Sequence, residues 1–217
     1  MQRVVAYVDG FNLYFGLRSQ GLRSAYWLDL GRAIRRLLER DEQLVGLKYF
    51  TSRISGPPDK VRRQNDYLDA LIAHESIEVF FGHYQSNPRT CRTCGATSVE
   101  PSEKQTDVNI AVELLKDAHQ NAFDSAAIVS ADGDLVPAVI AVRQLFPSKR
   151  LMAFFPPGRG SERLGAEVHT KRRIRPWLAR ACQLPDEVMG VDGFPRRRPQ
   201  EWGGPAAPGA VGSEGAS

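Results

Sequence analysis

Residues 4–10 read VVAYVDG and residues 125–134 read SAAIVSADGD. Each is a short apolar run that stops at an Asp-Gly step. An unbroken apolar run of this length, closed by turn chemistry, is the pattern of a strand buried on both faces. Further runs of this kind fall at Val45–Ser52, Ile77–Tyr84 and Arg150–Phe155. Between them lie helical patterns: a short one at Asn12–Ser19, then Leu28–Arg40, a stretch from Pro58 to about His74, Thr106–His119 and Asp134–Leu145. Arg175–Cys182 reads as a last helix. Strands alternating with helices predict an α/β fold with a parallel, doubly wound sheet.

The 217 residues and their 42% hydrophobic content suit one core. The domain is expected over 1–184. Gln85–Gln105 holds Asn-Pro, Cys-x-x-Cys-Gly and Glu-Pro, so a turn-rich insertion is expected at about 85–105. Twelve of the last 33 residues are Gly or Pro, so residues 185–217 are expected to be a disordered tail. In the Thr106–His119 helix, Thr106 is the expected N-cap, and Val108, Ala111, Val112 and Leu115 the expected apolar stripe. Three cysteines do not make a secreted disulfide scaffold. No stretch has the apolar length of a membrane span, and the N-terminus does not read as a signal peptide. A cytoplasmic protein is expected. A net charge of +4 is compatible with nucleic acid without requiring it.

In doubly wound sheets, ligands sit beyond the carboxyl ends of the strands, where strand order reverses. Asp9 follows the first strand directly; Asp132 and Asp134 follow the fourth. If those strands are neighbours, three carboxylates share one crevice. Asp107 opens a helix, where the backbone dipole favours an anion. Clustered carboxylates raise one another's pKa unless a cation relieves them, and Mg²⁺ or Mn²⁺ prefers such oxygen ligands. Gly10 and Gly133 suit sharp turns beside a ligand. Taken singly, each aspartate also reads as ordinary turn or first-turn chemistry.

Three blocks, VVAYVDGFNLYFG, KQTDVNIAVELLKDA and FDSAAIVSADGDLVPAVIAVR, resemble the motif blocks of NYN-domain proteins, a branch of the PIN-like nuclease superfamily. The likeness spans roughly residues 3–156. It implies a PIN-like three-layer α/β/α sandwich and a Mg²⁺- or Mn²⁺-dependent ribonuclease. Asp9, Asp107, Asp132 and Asp134 then hold the metal and carry catalysis. Asn12 orients Asp9 or meets phosphate, and Ser130 supports the acidic pair. The implied partner is RNA, with no membrane, and pairing into a homodimer is an analogy from the same superfamily.

Weaker signals remain. Cys91-x-x-Cys94 has the spacing of half a zinc site, for Zn²⁺, against the plainer reading of a reduced pair in a loop. Residues 143–180 hold ten Lys or Arg against two acids, Glu162 and Glu167. Within them Lys171, Arg172, Arg173 and Arg175, together with Lys104 ahead of Asp107, are candidate RNA contacts, or a solvated face. Arg196–Arg198 is expected in the tail. Phe11 and Tyr14 could stack on bases, whereas Phe15 is expected in the core. Asp132-x-Asp134 also fits a sugar transferase, and Asp9-Gly10 faintly a phosphatase, though each leaves other acids unexplained. The remaining alternative is a catalytically silent RNA- or protein-binding module on the same fold.

Overall fold

A computed structural model describes residues 1–90 and 97–203, with the backbone alone at 83–90 and 97–104. Six parallel strands form the central sheet: β1 (Gln2–Asp9), β2 (Glu42–Thr51), β3 (Glu78–Phe81), β6 (Ser125–Val129), β7 (Arg150–Phe155) and β8 (Thr170–Arg173). Their order is β3-β2-β1-β6-β7-β8. The chain winds outward from β1 in one direction and from β6 in the other, so order reverses between these two paired strands.

Both faces of the sheet are covered. On one, Val4, Ala6 and Val8 of β1 pack with α1 (Gly10–Ser19), α2 (Leu30–Arg35), α3 (Pro58–His74) and α7 (Pro176–Ala181). On the other, Val5 and Tyr7 pack with α4 (Thr106–His119), α5 (Val136–Leu145) and α6 (Glu162–Glu167). This is the α/β/α sandwich, and it explains why the strands read as unbroken apolar runs. Among the described residues, no helix is long and apolar enough to cross a membrane.

The structure corrects several details. The turn-rich segment is an antiparallel hairpin, β4 (His83–Thr90) with β5 (Thr97–Lys104). The chain enters α4 through Gln105, left-handed at φ 80°, and Thr106 does not cap the helix. The buried stripe of α4 is Thr106, Ile110, Leu114 and Ala118, while Val108 and Val112 face outward. Both stripes have helical spacing, so periodicity alone did not choose between them.

Residues 185–203 are ordered, contrary to the expected tail. Glu187–Met189 (β9) and Pro195–Arg197 (β10) form a hairpin, followed by a 3-10 turn at Gln200–Trp202. Trp202 packs among Tyr26, Trp27 and Tyr67. Arg196 pairs with Asp69 of α3 at 3.0 Å and Arg63 with Glu201 at 2.9 Å. Arg198 donates to the Ser24 and Trp202 carbonyls. Of the tail arginines, Arg196 and Arg198 are thus structural. Gly/Pro content measures backbone preference and does not register one large docked side chain. Residues 204–217 lie outside the described residues.

Lys48 of β2 points into the apolar layer beneath α4. It donates to Glu113 at 2.7 Å and to Asp117 at 2.9 Å, and the Tyr7 hydroxyl donates to Asp117 at 2.6 Å. Burial pulls the Lys48 ammonium down, but its bonds to Asp117 and Glu113 outweigh this and hold it above the ordinary lysine range. Burial pushes Glu113 up, yet Lys116 and Lys48 hold it below the ordinary range. The contribution of Glu113 to stability is present above pH 4.5 and fades as pH falls through its lowered value. That of Lys48 is present below pH 10.5 and fades as pH rises through its raised value.

Two outcomes are expected in urea unfolding. Asp117→Ala, which leaves Lys48 buried with reduced compensation, costs about 3–5 kcal/mol at pH 7; a loss below ~1 kcal/mol would contradict this description of the network. Trp202→Ala costs about 2 kcal/mol and opens residues 190–203 to proteolysis; unchanged stability and protection would show that the C-terminal strap does not hold the fold.

Candidate active site

Asp9 ends β1 at the carboxyl edge of the sheet and caps α1. One of its oxygens accepts the Asn12 backbone N–H at 2.9 Å and the other the Ser130 hydroxyl at 2.9 Å. The helix can begin this close to the sheet because position 10 is glycine. A Cβ there would lie 2.5 Å from the Tyr49 hydroxyl and 2.9 Å from the Phe50 carbonyl oxygen. Ser130 Oγ also accepts the Asp132 N–H at 3.0 Å, and Asp132 accepts the Asp134 N–H at 3.0 Å, capping the 3-10 turn Gly133–Leu135. The Asn12 side-chain oxygen accepts the Ala131 N–H at 3.1 Å. Asn12 and Ser130 therefore tie the end of β1 to the loop after β6, with Ser130 bridging Asp9 and Asp132. Gly133 has no positive φ and a Cβ there would meet nothing, so the turn does not require glycine at that position.

Asp107 approaches from the α4 face, in the first turn of that helix. Its carboxyl is pushed up to about 6, by burial first and then by the charges of Asp9, Asp132 and Asp134. All four acids thus share one electrostatic field. Burial likewise raises Asp9, with Asp132 adding to the shift, against the bonds from Asn12 and Ser130 and the charge of Arg159. Among the described residues, no three Asp, Glu, His or Cys side chains stand close enough to enclose a metal ion. As a set, the acids are spaced more widely than the coordination shell of a single ion.

The donor chemistry still fits a hard cation. Every candidate ligand is oxygen, and Mg²⁺ usually keeps several waters, so it does not need four direct protein ligands. Thr106 Oγ1, next to Asp107 in the chain, is buried and makes no hydrogen bond among the described residues.

The cation acting on Asp9 is Arg159, in the loop after β7, which the sequence reading did not single out. Applying the strand-end rule to the fifth strand of the sequence would have found it. Arg159 lies 5.9 Å over the Phe15 ring. Phe15 is 41% exposed rather than in the core, and Tyr14 beside it is 39% exposed.

Arg172, a candidate RNA contact from the sequence, is folded inward onto Glu39 at 2.7 Å, Glu42 at 3.0 Å and the Leu37 carbonyl. Arg173 donates to the Arg159 carbonyl and backs that loop. Lys171 and Arg175 are exposed. The Lys104 side chain, and Cys91 and Cys94 with the zinc expectation they carried, lie outside the described residues.

The shared field has a consequence for stability. In metal-free buffer near pH 7.5, Asp107→Asn removes a half-buried repelled charge and is expected to raise Tm by about 2–4 °C. An unchanged or lowered Tm would contradict the repulsion.

Comparison with known proteins places these features. The profile of the NYN domain matches residues 3–167. The chain is 29% identical over 244 aligned positions to the 6-hydroxy-3-succinoylpyridine 3-monooxygenase HspA of Pseudomonas putida, covering 93% of this chain and 76% of the relative. A crystal structure of a protein of unknown function from Vibrio parahaemolyticus superposes with a TM-score of 0.54 at 20% identity, over 80% of this chain and 93% of that one, a likeness of fold. With the profile spanning most of the chain and the α/β/α sandwich in place, this protein belongs to the NYN-domain family, on a PIN-like fold.

Proposed function

We propose that the protein is a ribonuclease that hydrolyses phosphodiester bonds with Mg²⁺ or Mn²⁺ held by Asp9, Asp107, Asp132 and Asp134. The observation that carries this reading is the placement of Asp9, Asp132 and Asp134 together at the strand-order switch, linked through Ser130, with Asp107 near enough for their charges to raise its carboxyl. A structural role gives little reason to gather like charges at one sheet edge, and such shifts concentrate at functional sites. When bound, the ion supplies charge neutralisation at the phosphodiester and a lowered pKa for the attacking water.

The chain's own residues supply the rest. Ser130 and the Asn12 N–H fix both oxygens of Asp9, so its orientation is set before any ligand arrives. Arg159, the cation on this edge that acts on Asp9, is suited to a phosphate oxygen. Asp134, exposed, is open to solvent exchange. Membership of the NYN-domain family supports RNA as the substrate.

The name of the Pseudomonas putida relative favours a second reading, a monooxygenase acting on a small substituted pyridine. A silent binding module is the third; retaining four acids where a polyanion would sit argues against it.

Cleavage of mixed RNA and DNA oligonucleotides, with and without Mn²⁺, separates them. RNA is expected to be cut only with the ion, and Asp132→Asn to fall to background with an unchanged far-UV spectrum. Ser130→Ala, which loosens Asp9, is expected to lose about 10–100-fold. RNA bound but uncut in Mn²⁺, or equal cutting by wild type and Asp132→Asn, would overturn the proposal.

A further inference from the structure

Next to the acids, on the α1 and α3 side of the sheet, lies a cavity of about 620 Å³. Its size is within the range of small-ligand sites. Tyr14, Tyr26, Tyr49, Tyr67 and Trp202 line it. Tyr14 and Tyr26 stand with ring centroids 5.1 Å apart, and Trp202 meets Tyr26 edge-on at 5.7 Å. Aromatic walls bury flat rings at low entropic cost. Tyr49 is 7% exposed, and its hydroxyl stands over position 10.

The lining is also one-sided in charge. Arg18, Arg23 and Lys60 contribute to it, no Asp or Glu does, and among the described residues none of these three cations has an ion-pair partner. Arg63, also in the lining, is by contrast paired with Glu201. A cavity with aromatic walls and unpaired cations complements a planar ring that carries an anionic group.

Gly10 lines the cavity and follows Asp9 directly. We propose that the cavity holds one unpaired nucleotide of the substrate strand, its base among Tyr14, Tyr26 and Trp202 and its phosphate on Arg18, Arg23 and Lys60. The identity of the occupant rests on the ribonuclease reading; the complementarity to a ring with an anion does not. The C-terminal strap becomes part of the binding wall through Trp202, so the site is complete only when the segment after Pro195 is docked.

The test is calorimetric titration of the full chain carrying Asp132→Asn, in EDTA, with adenosine 5′-monophosphate, ribose 5-phosphate and pyridine-3-carboxylate. Saturable binding of the nucleotide is expected, with ribose 5-phosphate at least about tenfold weaker because it cannot stack. The exposed pair Arg23→Ala/Lys60→Ala is expected to weaken the nucleotide about tenfold, and Tyr26→Phe to retain it. No saturable nucleotide binding, equal affinity for ribose 5-phosphate, indifference to the cation pair, or tighter binding of pyridine-3-carboxylate would each overturn the proposal. Neither metal nor cleavage enters this titration. Nucleotide binding without RNA cleavage would therefore remove the ribonuclease reading and leave the pocket; cleavage without nucleotide binding would remove the pocket alone.

Discussion

The parallel pairing of β1 with β6 is the constraint on which the rest depends. Val8 sits opposite Val129, so the two strands finish level, and the next residues along, Asp9 and Ser130, meet through a 2.9 Å hydrogen bond. That bond lies where strand order reverses, the place at which open α/β sheets form a crevice beyond the strand ends. From it follow the immediate start of α1 under the Asp9 cap, the need for glycine at position 10, and the turn that carries Asp132 and Asp134.

Two groups of buried charge show how differently one fold treats structure and function. Under α4, Lys48, Glu113, Asp117 and Tyr7 satisfy one another, with opposite charges in contact. A buried pair of this kind gains little net stability, yet it punishes the loss of either member. At the strand ends, Asp9 and Asp107 are held above their ordinary range by burial and by neighbouring negative charge. The domain tolerates that cost at one edge while its two apolar layers supply the stability, a pattern common at functional sites.

Much of this was legible in the sequence because both signals are local. An apolar run that ends in Asp-Gly announces both a buried strand and the carboxylate at its end, so β1, β6, Asp9, Asp132 and Asp134 could be read directly. Asp107 could not, since the direction of a helix in space is not written in its own residues; the family resemblance supplied it. The basic run, read linearly, does not show which of its side chains share a face. In β8 alternate residues face opposite sides, so Arg172 turns inward to Glu39 and Glu42 while Lys171 and Arg173 face away. The C-terminal strap was hidden because its order depends on Trp202 finding Tyr26, Trp27 and Tyr67, contacts far apart in sequence.

The central proposal is that this acidic edge binds a divalent cation, with Asp9 at its base. It is tested most directly by titrating Mn²⁺ into the metal-free protein and into Asp9→Asn, following the free-ion signal by electron paramagnetic resonance. The account predicts saturable binding in the wild type that is lost in Asp9→Asn while the fold persists. Equal uptake by both proteins, or none by either at millimolar-scale Mn²⁺, would contradict it.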